Sequence, residues 1–88
     1  MERYKINRMI RKQLHMTGAE LAERIDMSRQ TVSHYETGRS TLRSTERIIE
    51  LELAIEVSNC TDEDVKYVCE LLINDRDKKM TRDLHIPL

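Results

Sequence analysis

Apolar residues recur along this chain every three or four positions, the spacing of helices that bury one face, and short polar breaks separate the runs. Ile6, Ile10 and Leu14, with Met9 beside them, predict a first helix over about residues 3–14, after which His15 and Met16 interrupt the pattern. Thr17-Gly18-Ala19-Glu20 has the form of a capping box: the threonine hydroxyl accepts from the Glu20 amide, and the glutamate reaches back to the Thr17 amide. A second, short helix starts there, with Leu21, Ala22 and Ile25 turned inward and Met16 and Leu21 placed as a hydrophobic staple. Asp26-Met27 reads as a turn, because aspartate tolerates left-handed backbone, and Ser28 is a good N-cap for a third helix over about 29–36. Gly38 suits the left-handed position just past the end of that helix.

Beyond a loop from Ser40 to Arg43, Ser44 or Thr45 is expected to cap a fourth helix that runs to about Val57. Its apolar surface is broad, with Ile48, Leu51 and Ile55 on one stripe and Ile49 and Leu53 on its neighbour. Asn59-Cys60 breaks the run, and Thr61-Asp62-Glu63-Asp64 opens a fifth helix with a box-like cap and acids that favour its positive end. Val65, Val68, Cys69 and Leu72 follow, with Leu71 and Ile73 to the side. The polar stretch 77–88 is expected to be a fraying helix and flexible tail. With one proline, Pro87, and only Gly18 and Gly38 as glycines, the pattern implies an all-α class and a single domain over 1–76. The surplus apolar surface of helices 4 and 5, about 44–76, is explained either by the two helices packing on each other or by a dimer seam; the dimer is the favoured reading, with Leu53, Val68, Leu71 and Leu72 as interface candidates.

Charge divides the chain in a way that the net value of -1 conceals. Residues 1–43 hold nine Lys/Arg against five acids, net +4, whereas residues 44–88 hold six against eleven, net -5. A basic half suits contact with a polyanion, and the acidic half is open to a protein partner. No apolar run approaches the roughly 18 residues of a membrane span, and the charged N-terminus does not resemble a secretion signal, so a soluble, cytoplasmic protein is expected. Cys60 and Cys69 lack the spacing of a zinc site, and His15, His34 and His85 are scattered, so reduced thiols, no metal and no cofactor are expected. No converging nucleophile, base and oxyanion donor can be identified, which argues against an enzyme.

Two short helices joined by a tight turn present the second as a rod, and an α-helix fits the major groove of DNA, where base edges differ. Val32 and Tyr35 fall on the inward side of residues 29–36, leaving Arg29, Gln30, Ser33 and His34 outward as base-reading candidates. Arginine pairs with guanine through two hydrogen bonds and glutamine with adenine through two, while serine and histidine reach base edges or phosphates. His34 on a polar face is read as a hydrogen-bonding group rather than a pH sensor.

The run Met16-Thr17-Gly18-Ala19-Glu20-Leu21-Ala22-Glu23-Arg24-Ile25, followed by Ser28-Arg29-Gln30-Thr31-Val32-Ser33-His34-Tyr35-Glu36-Thr37-Gly38, resembles the phage-repressor and Cro-like (Xre) family. The likeness covers about residues 5–58, with the Leu-Ala, Ser-Arg and Tyr-Glu-x-Gly elements at the family's spacings. It implies a five-helix bundle of the lambda-repressor-like type with a helix-turn-helix at 17–38, the third helix entering the major groove of double-stranded DNA. It also implies a salt bridge between Arg11 and Glu36, and phosphate contacts from Thr17, the Gly18 amide, Thr31, Thr37, Arg39 and Arg43. Gly18 stands where the family has a phosphate-binding glutamine, Asp26 where glycine is common, Glu52 where alanine is expected and Glu56 where a glycine is; the loop before helix 4 is one residue longer and lacks the usual proline. The expected role is a transcriptional regulator, a repressor from a phage, plasmid or other mobile element that binds an inverted repeat as a homodimer. The alternative is a protein-interaction module, an antitoxin or inhibitor, that works through the acidic half.

Overall fold

The computed structural model describes the backbone of residues 2–83 and the side chains of residues 2–76. Five helices follow one another: α1 (Arg3–Gln13), α2 (Gly18–Arg24), α3 (Arg29–Glu36), α4 (Arg43–Asn59) and α5 (Glu63–Asp83), with no strand among the described residues. Helix α1 is central, packing against α3, α4 and α5, while α2 lies on α3.

The first three helices end in the same way. Past each C-cap one residue turns left-handed, His15 (φ 57), Asp26 (φ 55) and Gly38 (φ 80) in turn. The next residue's amide then reaches back five positions: Met16 to the Arg11 carbonyl, Met27 to Ala22 and Arg39 to His34, at 2.9–3.2 Å. These are Schellman closures, which satisfy carbonyls that the helix end would otherwise leave bare. Asp26 and Gly38 were legible as such positions, whereas the left-handed His15 was not. At the start of α2 the Thr17–Glu20 capping box is complete, and at α3 the Ser28 Oγ accepts from the Thr31 amide.

The later helices depart from expectation at their starts. Helix α4 begins at Arg43 with Leu42 as its N-cap and no capping side chain, so neither Ser44 nor Thr45 caps it. Thr45 is buried in its first turn. The Thr41 hydroxyl instead ties the preceding loop to the helix by donating to Glu46 Oε1 at 3.2 Å. At α5 the capping oxygen is Asp62 Oδ1, which accepts from the amides of Asp64 (3.1 Å) and Val65 (3.2 Å), rather than the Thr61 hydroxyl. Helix α5 continues to Asp83, past the boundary expected at 76; residues 84–88 of the expected tail lie outside the described residues.

Every helix contributes to the core: Ile6 and Ile10 from α1, Leu21 and Ala22 from α2, Val32 and Tyr35 from α3, Ile49, Leu53 and Val57 from α4, and Cys69 from α5, with Met16 from the first turn. Leu53, expected at a dimer seam, is 1 % exposed in this core and is not available to a partner. Leu72, expected beside it, is half-buried against the same core. Ile48, Leu51 and Ile55 of α4 and Tyr67, Val68 and Leu71 of α5 remain exposed.

A polar network crosses the bundle. Arg76 on α5 donates to Asn7 Oδ1 (2.9 Å), and Asn7 Nδ2 donates to the Tyr35 hydroxyl (2.6 Å), so α5, α1 and α3 are linked in series. Glu50 on α4 joins by pairing with Arg3 and standing 4.0 Å from Arg76. Nothing in the apolar periodicity signals this arrangement, since periodicity marks Asn7 and Arg76 only as polar residues. A further ion pair joins α2 to α4, with Arg24 between Glu52 and Glu56. The two glutamates that depart from the family pattern thus share one cation.

Candidate nucleic-acid interface

Helices α2 and α3 and the exposed side of α1 surround a wide, open concavity of about 1030 Å³. Arg29, Gln30, Ser33 and His34 of α3 line it, together with Arg8 of α1, Thr17, Gly18 and Ala19 at the start of α2, and Thr37 and Arg39 beyond α3. Val32 (1 % exposed), at the floor of the concavity, and Tyr35 (4 %) are buried in the core, which fixes the rotation of α3 about its axis. Rotation by packing is what makes the outward set rigid in position even though its side chains are free.

Arg29, Gln30 and Ser33 are exposed. None of their side chains has a hydrogen bond or ion pair with another described residue. His34 differs: it is half-buried, and its Nε2 lies 3.3 Å from Arg39 Nη1. Because a guanidinium only donates, Nε2 is the acceptor in this contact.

The residues expected near phosphates are placed unevenly. Thr17 uses its hydroxyl oxygen to accept from the Glu20 amide (3.0 Å), which leaves the hydroxyl proton able to donate outward. Gly18 opens on empty space, with nothing within 4 Å of where a Cβ would stand. The Thr37 hydroxyl donates back to the carbonyls of Ser33 (2.8 Å) and His34 (3.3 Å), so its proton is already used. Thr31 does not line the concavity, and its hydroxyl pairs with that of Ser28 at 2.8 Å. Arg43 is exposed at the first position of α4, also outside the concavity, while Arg39 lies within it. Arg8 was missed by sequence reasoning because it carries no motif; its signal is that Lys5, Arg11 and Lys12 are its helical neighbours, with no acid three or four positions away.

Beneath the surface, Arg11 braces the floor of the site. Its Nε and Nη2 meet the two carboxylate oxygens of Glu36 at 2.6 and 2.9 Å, and its Nη1 donates to the Met16 carbonyl at 2.7 Å. The two-pronged geometry suits a planar guanidinium facing a carboxylate, and both side chains are nine-tenths buried or nearly so. One residue of α1 therefore holds both the turn that leads into α2 and the last position of α3.

The buried Tyr35 hydroxyl is pushed up to about 12, chiefly by desolvation, with the Asn7 hydrogen bond opposing and the Glu50 charge adding to the rise. Burial likewise raises the Cys69 thiol, with Cys60 adding to it, as suits an inert core cysteine. Among the described residues, no three His, Cys, Asp or Glu side chains are grouped to hold a metal, and no helix is long and apolar enough to cross a membrane.

A family model described as helix-turn-helix matches residues 8–58, more than half of the chain. The chain belongs to this family, of the Xre and lambda-repressor-like kind, and is a DNA-binding transcription regulator. No curated protein and no solved structure matches it.

Proposed function

We propose that the protein is a sequence-specific repressor, carried by a phage, plasmid or other mobile element, that acts in the cytoplasm and binds an inverted repeat of duplex DNA as a homodimer. The observation that carries this reading is the unpartnered set Arg29, Gln30 and Ser33, projecting from a helix whose other side is locked in the core. Arg29 and Gln30 read base edges in the major groove, and Ser33 and His34 add shorter contacts. Thr17, the Gly18 amide, Arg39 and Arg43 hold the phosphates on either side and set the register. Thr31 and Thr37 contribute less, because their hydroxyls are engaged within the protein. The dimer rests on the exposed stripe Ile48, Leu51 and Ile55 and on Val68 and Leu71, with Leu53 excluded by its burial and Leu72 half-covered. Two-fold pairing places two reading helices roughly 34 Å apart, one turn of DNA.

Selection of bound sites from random DNA supplies the operator, and alanine at Arg29 or Gln30 tests the reading. Each substitution is expected to cost about 1–3 kcal/mol in operator affinity and to relax preference at one base position. Full affinity and unchanged preference in both variants would refute the assignment of α3 as the reading helix.

A further inference from the structure

We propose that helix α1 is itself a DNA-touching element and that Arg8 is its backbone contact, a phosphate clamp on the far side of the groove from Arg39. The inference rests on the duplex-DNA reading above and extends it to a helix outside the two of the motif. Arg8 is exposed and lines the same concavity as Arg29, Gln30 and Ser33. It has no ion pair or hydrogen bond with another described residue.

The helix offers it none. Three and four positions away stand Tyr4, Lys5, Arg11 and Lys12, so no acid lies at the spacings where a helix forms its side-chain pairs. Arg11 differs from Arg8 in this respect, because Glu36 neutralises it. Among the arginines of this face, Arg8, Arg29 and Arg39 are thus the cations not paired with an acid, and they come from α1, α3 and the turn after α3. A duplex that lets Arg29 reach base edges brings its sugar-phosphate rails to either side of α3. Arg39 and Arg8 then meet backbone rather than bases, Arg39 past the end of α3 and Arg8 from α1. A guanidinium with all its donors free fits a phosphate oxygen pair. An arginine that touches only phosphate adds affinity and salt dependence but no base preference.

The test measures affinity against salt for four full-length variants, R8A, R8K, K12A and R39A, on the selected operator duplex and on an unrelated duplex of equal length. Lys12 is exposed on the same helix but does not line the concavity, so it controls for a general loss of charge. With R8A, the slope of log affinity against log salt should fall by about 0.9, and binding should weaken by the same factor on both duplexes. R8K should restore most of the slope, and K12A should leave it unchanged. If R8A keeps the wild-type slope while R39A lowers it, Arg8 is a solvated charge and the DNA reading stands. Equal losses from R8A and K12A would likewise overturn the contact in favour of a diffuse field. If the wild-type protein binds neither duplex at any salt, the DNA reading and the Arg8 contact fall together.

Discussion

A methyl group at Gly38 would stand 2.8 Å from the Tyr4 ring, and the backbone there is left-handed at φ +80. Both facts penalise any side chain: the conformation alone costs roughly 1–2 kcal/mol, before Tyr4 is displaced from the edge of the core. Gly18 is the reverse case, with open space around its Cβ position and a place in the first turn of α2. Thermal unfolding of the two alanine variants should therefore give opposite signs, G38A destabilised by more than about 2 kcal/mol and G18A stabilised by about 0.4–1 kcal/mol through a less flexible unfolded chain. A stable G38A would mean that the closure after α3 is not needed to hold its end. Tyr35 carries a pH prediction. Its folded hydroxyl titrates at about 12 against an ordinary 10.0, so between these values the unfolded chain loses a proton that the native state keeps. The stabilising effect is complete below pH 10 and is lost as pH rises towards 12, a change of about 2.7 kcal/mol for two units. Denaturant unfolding from pH 8 to 12 should show the decline in the wild-type protein and a shallower one in Y35F. Y35F should also be the less stable at pH 8, because Asn7 Nδ2 loses its acceptor. Parallel pH curves for the two proteins would contradict the assignment.

Where an element's ends are set by its own side chains, the sequence shows them. The limits of α2 and α3 follow from the Thr17 box, the Ser28 cap, Asp26 and Gly38, all local chemistry within a few residues. The outward set on α3 followed equally directly, because two inward residues, Val32 and Tyr35, fix the phase of a helix of this length. Contacts that carry no capping motif were hidden. The start of α4 depends on Thr41 reaching Glu46, and the left-handed His15 depends on closing α1 over Met16, which is itself core. Which stripe of α4 faces inward was ambiguous in a helix apolar on two sides; packing chose Ile49, Leu53 and Val57. Least legible was the series Arg76, Asn7, Tyr35, whose members lie 69 and 28 positions apart. This series makes α5 a brace for α3. Replacing Arg76 by methionine keeps its stem and volume but leaves Asn7 Oδ1 without its donor and Glu50 with one cation fewer nearby. The expected loss in unfolding free energy is about 1–3 kcal/mol. A double-mutant cycle with Y35F should be non-additive by at least about 0.5 kcal/mol, since both residues act through Asn7. Strict additivity would show that the three do not work as a chain.

At the scale of the molecule, the segment that matches the family, residues 8–58, is not the unit that buries the core. Ile6 and Asn7 precede it, and α5 follows it with Cys69 fully buried and Val65, Leu72 and Ile73 packed on the same cluster. Fully burying an apolar side chain is worth roughly 1.5–3 kcal/mol. Cys69 is fully buried and Val65, Leu72 and Ile73 are partly so, so losing the four would remove several kcal/mol, a large share of the roughly 5–15 kcal/mol that holds a small domain together. The cut would also leave Asn7 and Glu50 without Arg76 and uncover the sides of α1 and α4 that α5 packs against. A chain ending at Cys60 retains every residue of the helix-turn-helix and both members of the Arg11–Glu36 pair, so local chemistry alone predicts an intact reading head. The core argument predicts otherwise. Followed by circular dichroism, the shortened chain should melt gradually with reduced helix content, whereas the full chain should show a single cooperative transition. A cooperative melt in the shortened chain, with operator affinity kept, would establish that α1 to α4 fold alone.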